Sequence, residues 1–577
     1  MLSSPTRKLL KCVPVLCAVL VFPALSGLAS AQTTDNWIGA TGAWSDPTQW
    51  DSGVPVAGDN IVIGTASASS TDDFSLSIGT LTLSNSADAL TIPDGVTLTV
   101  AGPINNAGTI TLSSTDTSAI VQLEISASAT LSGTGALILA GTNANFIVGM
   151  DPADILTNAS TISGRGEIGD GSMGLVNSGT VNASDVNGLV INVSSAGFNN
   201  TGTVETSNGG SLYIQGPAGS FLNYNSTTNT LTGGTYTANG GPILFSGSSS
   251  GITTLSARVT QEAGGQLTNL TTDANALANL KSITATGVLT TNVGFTQPNQ
   301  FSMAGALNIL PNTVVNVGSL FQIKNNALTG GQWVLDSNLN ITKTPANILT
   351  NSATLTLSGG TFFNTADGSD AFANLNANKK TLRILNFAHF TTVGTLTNTG
   401  QMTVAKGCKL TIGGTGTSYS QPSGKTTMDG MLIGAASIAG GTFLGAGSIT
   451  GNVSLGSTTA ATLSLGDAGK SAQVKVTGTY TQNSTGTLTA AIGGTTVGTQ
   501  FSQLKVVGAA NLSGTLAANL INAFTPTVGQ KFTVLNATSI AGTFSNSTIP
   551  INSSEHFAVS YTHSTVVLTV ASGPAQI

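Results

Sequence analysis

Few residues of this chain are of types that do chemistry, and their spacing decides what each is worth. Gly247-Ser248-Ser249-Ser250-Gly251 fits the pattern of a serine nucleophile, and Gly164-Arg165-Gly166-Glu167-Ile168-Gly169 fits a dinucleotide-binding fingerprint. The first pattern works only on a strand-to-helix turn with a histidine and an acid at hand, and the second only inside a βαβ unit. Here one lies in a Gly/Ser run and the other in a repeated phrase, so neither reads as a site. Three histidines are present: His389 in the apolar run ILNFAHF, and His556 and His563 flanking FAVSYT. His389 reads as a structural strand residue, and His556 and His563 share no Cys or acid pair at metal-site spacing. Cys408 stands between Lys406 and Lys409, cations that favour a thiolate, but it has no catalytic partner and reads as a structural thiol.

The acid pairs Asp72-Asp73, Asp151 with Asp154, and Asp367 with Asp370 are the candidates for acid catalysis or for Ca²⁺ binding. In Gly/Ser-rich turns they read instead as solvated corners, so no catalytic residue, cofactor or metal site is assigned. Trp37, Trp44 and Trp50 remain. Indoles this close together either close off an apolar core or, if exposed, stack on sugar rings, and these three are the candidates for glycan contact.

The elements that must position these residues are strands. Of 577 residues only 7% are charged, there are 17 prolines, and Gly, Ser, Thr and Asn alternate with Val, Ile and Leu. Disordered chains are rich in charge and proline and poor in β-branched residues, so this composition indicates a strand-rich fold with polar turns. Residues 1–31 read as a signal peptide: a basic start at Arg7, Lys8 and Lys11, an apolar run, and an A-x-A exit ending at Ala31. Cys12 and Cys17 fall within it, which leaves Cys408 alone and no intramolecular disulfide in the remainder. After cleavage no stable membrane insertion is expected. Charge is segregated: residues 32–257 hold sixteen acids and one base, Arg165, whereas residues 258–577 hold eight acids and fourteen bases. The bases are scattered along the sequence without interleaved aromatics, which argues against nucleic acid as a partner.

Repetition carries the architecture. An Asn-x-[Gly/Ser/Ala]-x-apolar phrase starts at Asn106, Asn158, Asn177, Asn200, Asn351 and Asn398, with neighbouring spacings of 52, 19, 23, 151 and 47. A Gly-Gly phrase followed by an aromatic recurs as LTGGTY, LTGGQW, LSGGTF and IAGGTF. Each Asn phrase precedes a short alternating run such as GTITLS, the period of a half-buried strand. A strand that short buries its apolar face only when stacked on copies of itself. Asn and Gly then supply tight, partly left-handed corners, and Asn stacks on Asn in the next coil as a hydrogen-bond ladder. The fold expected is an all-β parallel β-helix: an N-terminal Trp-rich cap over 32–95, solenoid repeats over 96–470, and a C-terminal β domain over 471–577. At about 22 residues per coil the repeats make ~17 coils, a rod on the order of 80 Å. The one stretch with helical periodicity is TTDANALANLKSI, residues 271–283.

Both ends carry resemblances. NWIGATGAWSDPTQWDSGVPVAGDNIVIG, residues 36–64, resembles the segment that opens the mature part of many large secreted bacterial β-solenoid proteins. FLGAGSITGNVSLGSTTAATLSLGDAG, residues 443–469, resembles the element near the end of autotransporter passenger domains, and the landmarks at Gly478 to Gln482, Gln500 to Gly508 and Gly529 to Leu535 follow it in the usual order. The membrane barrel that follows such passengers is not found before the sequence ends at VVLTVASGPAQI. The resemblance implies a passenger-like adhesin without its carrier, secreted or at the outer cell surface. It would contact polysaccharide or cell-surface components and could self-associate. The alternatives are a polysaccharide lyase or hydrolase on the same scaffold and a self-assembling extracellular structural protein.

Overall fold

The computed structural model describes residues 32–247, 249–467 and 469–575. The expected signal peptide, with Cys12 and Cys17, lies outside the described residues, as does Ser248 of the Gly/Ser run. The chain is an all-β parallel β-solenoid of about twenty coils, on the order of 100 Å long at one strand spacing per coil. Most coils place three short strands on three faces. In one coil these are Ile155–Asn158, Thr161–Gly164 and Gly166–Gly169, and in the next Gly174–Asn177, Thr180–Ala183 and Leu189–Asn192. Each strand pairs in parallel with its counterparts above and below.

Alternation puts every second residue inward, where like residues stack. On the second face Leu90, Ile110, Leu137, Ile162, Val181 and Val204 follow one another in register, and all are buried. A single four-residue strand has too little apolar surface to hold together; the column does.

The Asn phrase marks the corner between the first and second faces. Its asparagines are fully buried, and none of the six has a positive φ. The expected left-handed corner is therefore not what these residues supply; the left-handed positions fall on other asparagines, such as Asn208 and Asn312. The phrase supplies hydrogen bonds. Asn158 Nδ2 donates to Asn177 Oδ1 at 2.8 Å, and Asn177 Nδ2 to Asn200 Oδ1 at 2.9 Å. A second ladder runs from Asn351 through Asn378 to Asn398 at 2.9 and 2.7 Å. The second amide hydrogen of Asn177 reaches the Thr203 carbonyl at 2.9 Å, at the start of the next second-face strand. The glycine two residues on is needed for closeness rather than for its φ: a Cβ at Gly179 would lie 2.0 Å from the Ser160 carbonyl oxygen. In LTGGTY and LTGGQW the two glycines are left-handed and bend one long strand around this same corner. LSGGTF instead turns from the second face to the third.

Residues 271–281, where helical periodicity suggested a helix, form turns. Ala276, Leu277 and Leu280 point into the core, so their spacing records a loop tucked under the coil rather than a helical stripe. The only helix among the described residues is the 3₁₀ turn Pro47–Gln49, and none is long and apolar enough to cross a membrane.

Both ends of the rod are closed. The outer edge of Thr34–Trp37 is covered by the returning chain: Ile38 N–H donates to the Gln49 carbonyl at 2.8 Å, and Asp51 N–H to Asn36 O at 3.1 Å. At the other end Lys531–Asn536 pairs antiparallel with Thr565–Ser572, which carries Glu555–Tyr561 and Thr548–Pro550. The Asn546 amide imitates a backbone, accepting from Leu516 N–H at 3.0 Å and donating to Leu516 O at 2.9 Å.

Candidate binding surfaces

The three indoles meet under the first coil. Trp50 lies edge-on to both Trp37 and Trp44, with ring centroids 5.1 and 5.4 Å apart, and its Nε1 donates to the Trp44 carbonyl at 3.0 Å. They are 1%, 0% and 3% exposed for Trp37, Trp44 and Trp50. The sugar-stacking role expected as one reading has no ring face available there, because the indoles fill the open end of the apolar core.

The acid pairs are not gathered into a groove. Asp151 accepts from Ala153 N–H at 2.8 Å, and Asp154 from Asp151 N–H at 3.2 Å, which closes one turn. Asp367 takes Ser369 N–H at 3.0 Å, while Asp370 takes Phe372 N–H at 2.9 Å and the Thr361 hydroxyl at 2.6 Å. Asp73 holds Ser45 through its N–H at 2.9 Å and its hydroxyl at 2.6 Å. These carboxylates are corner caps. Among the described residues no three His, Cys, Asp or Glu side chains converge as a metal site.

Asp72 differs from its neighbours. It is fully buried, in the inward column that continues as Ile92, Leu112 and Leu139. Neither carboxyl oxygen has a hydrogen bond of ordinary geometry. Burial, reinforced by the charge of Asp73 and opposed by the nearby Phe74 N–H, pushes this carboxyl up to about 8. The group follows Thr71, which pairs with Ala43 and whose carbonyl accepts from Trp44 N–H at 2.8 Å, so it belongs to the cap.

Gly164 and Gly166 are left-handed and turn the chain from the second face to the third; strand Gly166–Gly169 follows rather than a helix. Arg165 pairs with Asp185 at 3.4 Å, the one ion pair among the described residues. Cys408 is buried in the core. His556 Nδ1 lies 2.8 Å from the Gly573 carbonyl, and His389 is exposed on the third face.

The single residues are isolated, but the surface itself repeats. Outward on the second face, Thr161, Thr180, Thr203 and Thr235 stand in consecutive coils. Thr442, Thr462, Thr487 and Thr515 do the same nearer the C-terminus. Sequence spacing hid the rows, because coils differ in length. A groove of about 780 Å³ crosses the third face of the N-terminal half, lined by Asn192, Ser194, Ser195, Gln215, Ser246 and neighbouring backbone. At its edge Glu167 accepts from Asn192 Nδ2 at 2.8 Å, and burial raises its carboxyl above the ordinary value.

No protein-family model matches this chain, and no curated protein matches it. Among solved structures, the crystal structure of the Haemophilus influenzae Hap adhesin is similar over 89% of this chain and 64% of that one, at 11% identity and a TM-score of 0.21. The chain thus spans less than two thirds of that protein's length.

Proposed function

We propose that this chain is a secreted or surface-associated, non-enzymatic β-solenoid adhesin, making multivalent contacts with glycans, matrix or cells. The observation that carries this reading is the pair of in-register threonine rows on the second face. Each hydroxyl is a weak contact. Repeated at the pitch of the coils on a stiff rod, four such contacts engage an extended ligand with little further loss of entropy, so avidity replaces affinity. The passenger-like wording of residues 443–544 supports export and a place outside the cell.

The test is retention. Purified chain is incubated with a panel of insoluble neutral polysaccharides and with intact bacterial cells, and the bound fraction is measured. Selective retention, reduced severalfold when Thr180 and Thr203 are both replaced by arginine to obstruct the row, is the expected result. Absence of retention on every surface would overturn the adhesin reading.

A further inference from the structure

The third face of the C-terminal half carries a different chemistry. Its outward column runs His389, Lys409, Met431, Ser448, Lys475 and Lys505 in strict parallel register. The lysines are exposed, and no acid stands on any of these strands. Since the one ion pair among the described residues joins Arg165 to Asp185, the three ammonium groups face water. Between Lys409 and Lys475 lies a groove of about 380 Å³, whose lining includes Met431, Ser448 and Gln473. The one acid that lines it, Asp429, is engaged by Ala446 N–H at 2.9 Å.

At the near end of the column stands Phe387. It is 74% exposed and has a φ of 62°, a left-handed conformation that costs a bulky residue free energy. Its ring lies against Gly407, where an added Cβ would come 2.5 Å from Cδ1, and Gly407 lines the same groove. An aromatic this exposed offers a sugar ring an apolar face.

We infer that the strip from Phe387 to Lys505 binds a linear acidic polysaccharide laid along the axis of the solenoid. The coils set these cations in one line at multiples of about 4.8 Å, so a linear polyanion laid along the axis contacts several ammonium groups at once. The sparse spacing of the lysines and the polar Ser448 and Gln473 between them suit a polymer that presents hydroxyls as well as charge. This strip is on a different face from the threonine rows, so either reading can fail without the other.

Polygalacturonate is the probe, in calcium-free buffer, with its fully methyl-esterified form as the uncharged control. Binding to the free acid should weaken steadily as salt rises, and the ester should bind at least tenfold more weakly. Lys409→Gln, Lys475→Gln and Lys505→Gln together should reduce affinity for the free acid about tenfold, as expected for three exposed ion contacts. The same charge change at Lys281, Lys324 and Lys343 should leave it within about twofold. Phe387→Asn, which suits the left-handed backbone, should lower affinity without lowering the melting temperature. Four results would each overturn the assignment: equal binding of ester and acid, equal losses in the two triple variants, stronger competition by single-stranded DNA of matched charge, or a changed oligomeric state as the sole effect of the row variant.

Discussion

Among single residues, Asp72 makes the sharpest commitment. A carboxyl held to about 8 in the folded chain, against an ordinary 3.8, binds its proton more tightly folded than unfolded. Its contribution is therefore complete in acid and is lost as pH rises from about 4 to about 8, at about 1.4 kcal/mol per unit. Solenoids open locally from their ends, so the loss should appear as fraying of the first coils rather than global unfolding. Asp72→Leu, which fits a column of Ile92, Leu112 and Leu139, should abolish the pH dependence and slow amide exchange of residues 34–44 at pH 7. Protection factors of residues 34–44, taken relative to the intrinsic exchange rate at each pH, that stay constant between pH 5 and 8 in the parent chain would refute it. The asparagine ladder makes the opposite kind of commitment. Asn177→Ala removes the acceptor of Asn158 and the donor to Asn200 and Thr203, leaving buried polar groups unpaired at a cost of about 3 kcal/mol. Denaturant titration should show that loss, and Asn177→Asp should be no better, since it brings a buried charge.

At the scale of the element, the sequence spelled out what repeats locally and concealed what repeats only through the coil. Asn158, Asn177 and Asn200 are 19 and 23 residues apart, close enough to one coil for the ladder and the corner to be read directly. Asn378 belongs to the second ladder, between Asn351 and Asn398, but stands before Lys-Lys rather than Gly, so the phrase does not show it. Lys409, Lys475 and Lys505 are 66 and 30 residues apart and look scattered, because insertions lengthen the corners while register is kept on the faces. Phe387 reads as one more apolar residue in ILNFAHF, since a φ cannot be seen in a sequence. The stretch at 271–283 misled for a related reason: buried positions at helical spacing also arise in a loop that folds under a coil. The threonine rows bear on strand stability as well as contact. Thr180→Gly should weaken its strand by about 1 kcal/mol, with the loss confined to neighbouring coils in an exchange map.

The whole molecule is a rod whose ends are sealed and whose charge is divided. Solenoid edges are unpaired strands that template addition of another chain. Here Asp51 and Gln49 cover the first edge, while the three antiparallel strands over residues 548–572 and the Asn546 amide cover the last. End-to-end polymerisation, as a self-assembling structural protein would require, must first displace one of these covers. Sedimentation velocity of the purified chain should therefore give a single elongated monomer over a wide concentration range. Removal of residues 547–577 should convert it to concentration-dependent aggregates by exposing the Lys531–Asn536 edge. The charge division sets the salt response of any lateral contact that remains. An acidic half and a basic half attract when two rods lie antiparallel, and such attraction is screened within about 10 Å at 0.1 M salt. Association that persists in 0.5 M salt would mean an apolar interface, and fibres from the intact chain would favour the self-assembly reading over adhesion.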